Sequence, residues 1–230
     1  MKSILHILCE GQTERDFAKK VLAPYLLPYN IAVHATLLVT NRKKEAEGGI
    51  SNYAQVKRDL IILMKSNKDG DYEKHYYTTM FDLYALPPNF PGFESAKKDS
   101  YNHVQNIETA FEKDVDNCHF IPYIQLHEFE ALVICNPDKL KEIYPQAEKE
   151  ISHMTDAWQN EAGKNPELVN THYDKVPSRR LINCMQHKYK YNKVSSGIEV
   201  TQAIGIDDLR KKCAHFNKWI NKLVEIGQHN

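Results

Sequence analysis

The order of apolar runs along the 230 residues predicts an α/β protein built on a mostly parallel sheet flanked by helices. Three observations carry that expectation. Four short runs, at residues 3–9, 31–39, 76–83 and 119–126, are rich in aliphatic, β-branched and aromatic residues, as strands buried on both faces are. Between them lie segments whose apolar residues recur at helical spacing, so the strands should be joined by crossover helices and run parallel. Beyond residue 126 only helical patterns follow, near 137–144, 146–162, 178–187, 197–204 and 207–226. That last third predicts a helical cap packed on the sheet. The chain reads as one domain, 1–230, with a core over about 1–135 and a cap over about 136–230.

The first run, Ser3 to Cys9, ends in Glu10-Gly11. Thr13 is expected to cap the next helix, with Asp16 three residues on as a capping-box partner. Phe17, Val21 and Tyr25 draw its apolar face, and Pro24 and Pro28 are expected to end it. The charged, glycine-containing stretch 41–51 reads as an exposed loop. Tyr53, Val56, Leu60, Leu63 and Met64 then define one helix face, and Val104, Ile107 and Phe111 another over 101–115. The run at 76–83 stops at a loop marked by Pro87, Pro88 and Pro91.

Hydrophobic residues make up 42% and charged residues 26%, an ordinary globular balance that argues against global disorder. Thirty basic and thirty acidic side chains cancel, so any anionic partner has to be held by a local patch. No apolar run approaches the roughly 20 residues of a membrane span. The apolar start is cut short by Glu10, too soon for a secretory signal. Cys9, Cys118, Cys135, Cys184 and Cys213 are odd in number and never spaced as CxxC, which fits reduced thiols in a cytoplasmic protein. No Gly-Lys-Ser/Thr motif is present, so the chain itself is not expected to be an ATPase.

Open parallel sheets bind ligands beyond the carboxyl ends of their strands. Three of the runs here end in acids: Glu10, Asp82, and the pair Glu128 and Glu130. Neighbouring strands lie about 4.8 Å apart, so such acids can converge. Carboxylates brought together repel unless a cation joins them, and hard oxygen ligands favour Mg²⁺ or Mn²⁺. Taken singly, each acid is better explained as a helix cap or a surface ion pair; it is the three together, at the ends of apolar strands, that point to a shared cation. If residues 127–130 are extended, Glu128 and Glu130 face one side; if helical, they diverge and only one, Glu128 by preference, reaches the site.

Between Lys175 and Lys193 the chain holds Lys175, Arg179, Arg180, Lys188, Lys190 and Lys193 and no acid, with Tyr189 and Tyr191 interleaved. Ser178 can cap a helix whose first turn carries Arg179 and Arg180 and attracts phosphate. The segment reads either as a solvated edge or as a nucleic-acid contact of the kind that suits single strands. Lys193 is the basic residue expected nearest a reacting phosphate, because Ser195, Ser196 and Gly197 let the chain come close there.

Several motifs together resemble a known family. They are Glu10-Gly11-x-Thr13-Glu14, Asp82-x-Tyr84, Gln125-x-His127-Glu128-Phe129-Glu130-Ala131, Pro177-Ser178-Arg179-Arg180, Tyr191-Asn192-Lys193 with Gly197, and Cys213-x-His215-Phe216-x-x-Trp219. Spread over almost the whole chain, they resemble a bacterial, RloB-like family of unknown function related to the Toprim domain of OLD-type nucleases. The resemblance implies a Toprim-like fold. It gives Glu10 a general acid/base or metal-ligand role and matches Asp82 to the first acid of the Toprim Asp-x-Asp. Tyr84 stands where the second acid belongs, so Glu128 or Glu130 has to supply that carboxylate. The activity implied is Mg²⁺- or Mn²⁺-dependent phosphodiester chemistry on nucleic acid, DNA rather than RNA, in antiphage defence or DNA repair. An AAA- or ABC-type ATPase partner in trans and a homodimer follow from the same likeness. The alternative is a catalytically degenerate module that binds nucleic acid or an ATPase without cutting.

Overall fold

The computed structural model describes residues 1–39, 50–93, 100–169, 176–185, 189 and 191–228. Its sheet is built from β1 (Lys2–Cys9), β2 (Ile31–Leu37), β3 (Glu73–Asp82) and two short pieces, β4 (Phe120–Ile121) and β5 (Ile124–Gln125). The strand order is β2-β1-β3-β4, with β5 also on β3, and every pairing is parallel.

Alternation along β1 divides the core. Leu5, Ile7 and Cys9 face one apolar cluster and Leu8 the other. On the Leu8 side lie α3 (Tyr53–Ser66) and α4 (Ser100–Val115), which bury Val56, Leu60, Val104, Ile107 and Phe111. On the Leu5 side lie α1 (Gln12–Phe17), α2 (Ala23–Leu26) and the C-terminal helices. These are α5 (Glu130–Val133), α6 (Pro137–Ile143), α7 (Glu148–Ala162), α8 (Pro177–Met185), α9 (Lys193–Ile204), α10 (Ile206–Lys212) and α11 (Ala214–Gln228). The architecture is thus the expected one, a mostly parallel sheet flanked by helices with an all-helical C-terminal region.

The last helix lies on the sheet itself. Trp219 Nε1 donates to Thr78 Oγ1 at 3.0 Å, and Ser3 Oγ donates to the Ile226 carbonyl at 3.3 Å. Phe216, Trp219, Ile220 and Leu223 are buried beneath it, each contributing about 1.5–3 kcal/mol. The C-terminal third therefore completes one layer of the core.

Local departures from the sequence expectation have identifiable causes. Pro24 does not end the first helix, because the chain widens to a π-turn over Ala18–Leu22. That turn avoids the clash between the proline ring and the Lys20 carbonyl that a regular α-turn would impose. The N-cap of α1 is Gly11 with Glu14, not Thr13 with Asp16: the Glu14 carboxylate accepts from the Gly11 amide at 2.9 Å. A Cβ at position 11 would lie 3.0 Å from that same oxygen, so glycine makes the room. The expected strand at 119–126 splits because Pro122 has no N–H for the ladder. There Thr79 Oγ1 accepts from the Tyr123 amide at 3.1 Å and donates to its carbonyl at 3.0 Å. The single helix expected over 207–226 is two, α10 and α11, separated at Cys213.

Candidate active site at the strand ends

The connection after β1 leads to one face of the sheet and the connection after β3 to the other. The gap between these two neighbouring strands is therefore the topological switch point, where open α/β sheets form their ligand crevice. Glu10 and Asp82 stand at the carboxyl ends of those strands, and both are half-buried.

Cys9 is level with Met80 in the parallel register. The Glu10 amide makes the next rung, donating to the Met80 carbonyl at 3.2 Å. Parallel pairing would then send the Asp82 amide to the Glu10 carbonyl. It donates instead to the Glu10 carboxylate, Oε2, at 3.0 Å. A side chain thus substitutes for backbone where the two strands part, and the Glu10 carboxylate is fixed over the crevice. Glu14, on the first turn of α1, is buried behind it and committed to the Gly11 amide.

Across the crevice, two residues beyond the end of β5, stands His127, a non-glycine residue with φ 63°. Such left-handed backbone costs on the order of 1–3 kcal/mol and gathers at functional turns. Here it turns the chain so that the His127 carbonyl accepts from the Tyr84 amide at 3.3 Å, with the two rings 5.6 Å apart. The residues that follow take the helical alternative, since α5 begins at Glu130. Glu128 and Glu130 diverge accordingly. Glu128 Oε1 accepts from the Ser178 amide on the first turn of α8 at 2.5 Å. Glu130 is fully buried, and its charge is felt by Tyr191. Partial burial and then the charge of Glu128 push the Tyr84 hydroxyl up to about 12. Tyr84 therefore stands beside the glutamate expected to supply the missing carboxylate.

The structure thus joins Glu10 to Asp82 and places Tyr84 next to Glu128. Among the described residues, no three His, Cys, Asp or Glu side chains are gathered closely enough to hold a metal ion. The donor pair Glu10 and Asp82 nonetheless fits an ion that keeps several waters and takes only one or two carboxylates.

The basic segment reaches this region at one point. Arg179, exposed on the first turn of α8, follows the Ser178 amide that holds Glu128. The amide at that helix start, expected to attract a phosphate, carries an internal carboxylate instead, which the helix dipole favours. Arg180 is not a solvent-facing cation, because Glu161 on α7 pairs with it in a largely buried contact. Lys188 and Lys190 lie outside the described residues. Lys193 is the first residue of α9, and its side chain lies outside them too. Gly197 serves packing, since a Cβ there would stand 3.3 Å from the Phe129 ring.

A second polar cluster was not given a role in the sequence. At the open edge of the sheet, Glu108 Oε1 accepts from the Ile124 amide at 2.9 Å, and His215 Nε2 lies 3.0 Å from that oxygen and 3.2 Å from the Ile124 carbonyl. Phe120 donates to the Asn117 carbonyl, and Pro122 has no donor. The outward amides of this edge strand are thereby occupied or absent, which guards it against pairing with another chain. Glu167, fully buried, accepts from the His215 and Phe216 amides at 3.0 and 2.9 Å and from the Tyr101 hydroxyl at 2.7 Å. Capping by Glu167 is what starts α11 afresh after Cys213. The only signal in the sequence was the Cys213-x-His215-Phe216-x-x-Trp219 motif.

Among the described residues, no helix is long and apolar enough to cross a membrane. A solved structure, the C-terminal region of the Xanthomonas campestris pv. campestris OLD protein, aligns over 98% of each chain with 16% identity and a TM-score of 0.38. No curated protein matches the chain. The RloB-like name is not confirmed; residues 9–224 match the family described as "Domain of unknown function (DUF4276)", and the chain belongs to that family.

Proposed function

We propose that this chain is a Mg²⁺- or Mn²⁺-dependent phosphodiester hydrolase acting on nucleic acid, DNA rather than RNA, at the crevice between β1 and β3. The observation that carries the reading is the Glu10 carboxylate bound to the Asp82 amide, in place of a backbone rung, at the switch point of the sheet. Glu10 and Asp82 would hold the ion, with Glu128 as the third carboxylate and the buried Glu130 behind it. Such an ion, when bound, lowers the pKa of an attacking water and offsets charge on the phosphoryl oxygens.

The chain's own groups act around it. Glu10, fixed by the Asp82 amide, is the general base, oriented before substrate arrives. Glu128 occupies the amide of Ser178, and an incoming phosphate can take its place there. That exchange frees Glu128 to turn toward Tyr84 and Asp82 while Arg179 meets the same phosphate. Lys193 and the bases near it extend the contact along the backbone. An ATPase partner in trans, a homodimer, and a role in antiphage defence or DNA repair rest on the family resemblance alone.

A second reading has its own observation. Tyr84 replaces an acid and Glu128 is engaged with Ser178, which suits a module that binds nucleic acid or an ATPase without cutting. Cleavage of plasmid and single-stranded DNA in Mg²⁺ or Mn²⁺ separates the two. Metal-dependent cutting that falls roughly 10²–10⁴-fold in Glu10→Gln is expected. Binding without any cutting would favour the second reading. Cutting unchanged by the substitution would move the chemistry away from Glu10.

A further inference from the structure

The edge cluster has a concave side that its structural role does not use. Tyr101, Gln105 and Glu108 of α4, Pro122 and Tyr123 of the edge strand, and His215, Lys218, Trp219 and Lys222 of α11 line a pocket of about 170 Å³. We propose that this pocket is an anion site for a phosphate monoester, separate from the strand-end crevice.

Charge placement is the first argument. Lys218 and Lys222 are one helical turn apart on α11, both exposed, and both border the pocket. Like charges at that spacing destabilise a helix slightly. No ion pair to either lysine is found among the described residues. The fold gains nothing from the pair, whereas a bound anion would offset their repulsion. Glu108 is the one acid lining the pocket, and its carboxylate is already shared between the Ile124 amide and His215. Burial alone would lower the His215 pKa, but the hydrogen bond and charge of Glu108 outweigh it and leave the imidazole above its ordinary value. The wall thus holds a rigid histidine–carboxylate pair of little net charge, and the two ammonium groups dominate the mouth.

Shape and rigidity are the second argument. Tyr123 and Trp219 stack with ring centroids 4.1 Å apart, and Trp219 is anchored to Thr78. The rings occupy each other's faces, so the pocket offers a firm wall and no slot for a base. About 170 Å³ is below the usual range for a whole cofactor. It suits a phosphate with a few attached atoms, with the Gln105 amide as a further donor. Such a group could belong to a free mononucleotide or to the phosphorylated end of a nucleic-acid strand.

Calorimetric titration in EDTA removes metal-dependent binding at the strand ends, and substitution of Lys218 and Lys222 separates the pocket from the phosphate contact at Ser178 and Arg179. The probes are inorganic phosphate, a nucleoside 5′-monophosphate, and one short oligonucleotide with a 5′-phosphate or a 5′-hydroxyl. Saturable binding of phosphate and the mononucleotide is expected, weakened at least about tenfold in Lys218→Ala with Lys222→Ala. Both lysines are exposed, so the variant should fold as the parent does. Tighter binding of the 5′-phosphorylated oligonucleotide than of its hydroxyl twin would identify a strand end as the source; equal binding would identify a free nucleotide. No phosphate binding up to about 10 mM, or binding indifferent to the two substitutions, overturns the proposal.

Discussion

The strand-end crevice and the sheet edge both gather acids beside a histidine, yet they use them in opposite ways. At the crevice, Glu10 and Asp82 are half-buried, and the Asp82 amide donates to the Glu10 carboxylate. At the edge, Glu167 is fully buried and takes two helix amides and a tyrosine hydroxyl. A buried carboxylate that accepts from three donors is a structural part, because removing it strands all three at once. A half-buried acid at the mouth of a crevice, by contrast, is within reach of a ligand from solvent. Exposure therefore separates the two roles better than residue type does.

The largest effect should follow from breaking the edge. Glu167→Ala leaves the amides of His215 and Phe216 and the Tyr101 hydroxyl without their acceptor, and a loss of about 2–4 kcal/mol is expected. Glu167→Gln should recover part of it, since one acceptor oxygen remains. Glu10→Gln, by contrast, should change stability by less than about 1 kcal/mol. Urea melts of the three variants check the contrast, and an equal loss in Glu10→Gln and Glu167→Ala would erase it.

The two histidines should give pH dependences of opposite sign. Burial lowers the His127 pKa to about 4, against a backbone hydrogen bond to Glu167 that raises it. The unfolded chain then takes up the proton first, so stability falls as pH drops from about 6.5 to about 4, by at most about 3 kcal/mol. His6, held at about 4 by burial and by its neighbours His75 and His34, adds to the same loss. His215 is raised by Glu108, so its contribution is full below about pH 6.5 and disappears as pH rises through the folded value. Melting temperatures between pH 4 and 9 should show His127→Gln flattening the acid limb and His215→Gln the neutral-to-alkaline limb. The same limb affected by both would contradict the assignment.

The sheet and the crevice were legible because their signals are local. An apolar run that stops at Glu10 or Asp82 shows both the strand and the acid at its end within a few residues. Helix faces such as Val104, Ile107 and Phe111 were readable for the same reason, from spacing alone. What stayed hidden depends on partners far apart in the chain. Glu108 meets His215 across 107 positions, and Glu128 meets Ser178 across 50. Arg180 looked like a free cation because Glu161, on another helix, is invisible from an acid-free stretch. Backbone exceptions were missed for a different reason. The π-turn before Pro24 and the left-handed His127 are the less common solutions to their local problems, and composition favours the common one.

Mn²⁺ binding followed by electron paramagnetic resonance tests the crevice most directly, because it needs neither a known substrate nor turnover. One ion per chain is expected in the parent protein, with affinity reduced roughly 10–100-fold in both Glu10→Gln and Asp82→Asn and unchanged in Lys218→Ala. Binding of equal strength in the parent and in Glu10→Gln, with both folded, would contradict a metal site between β1 and β3.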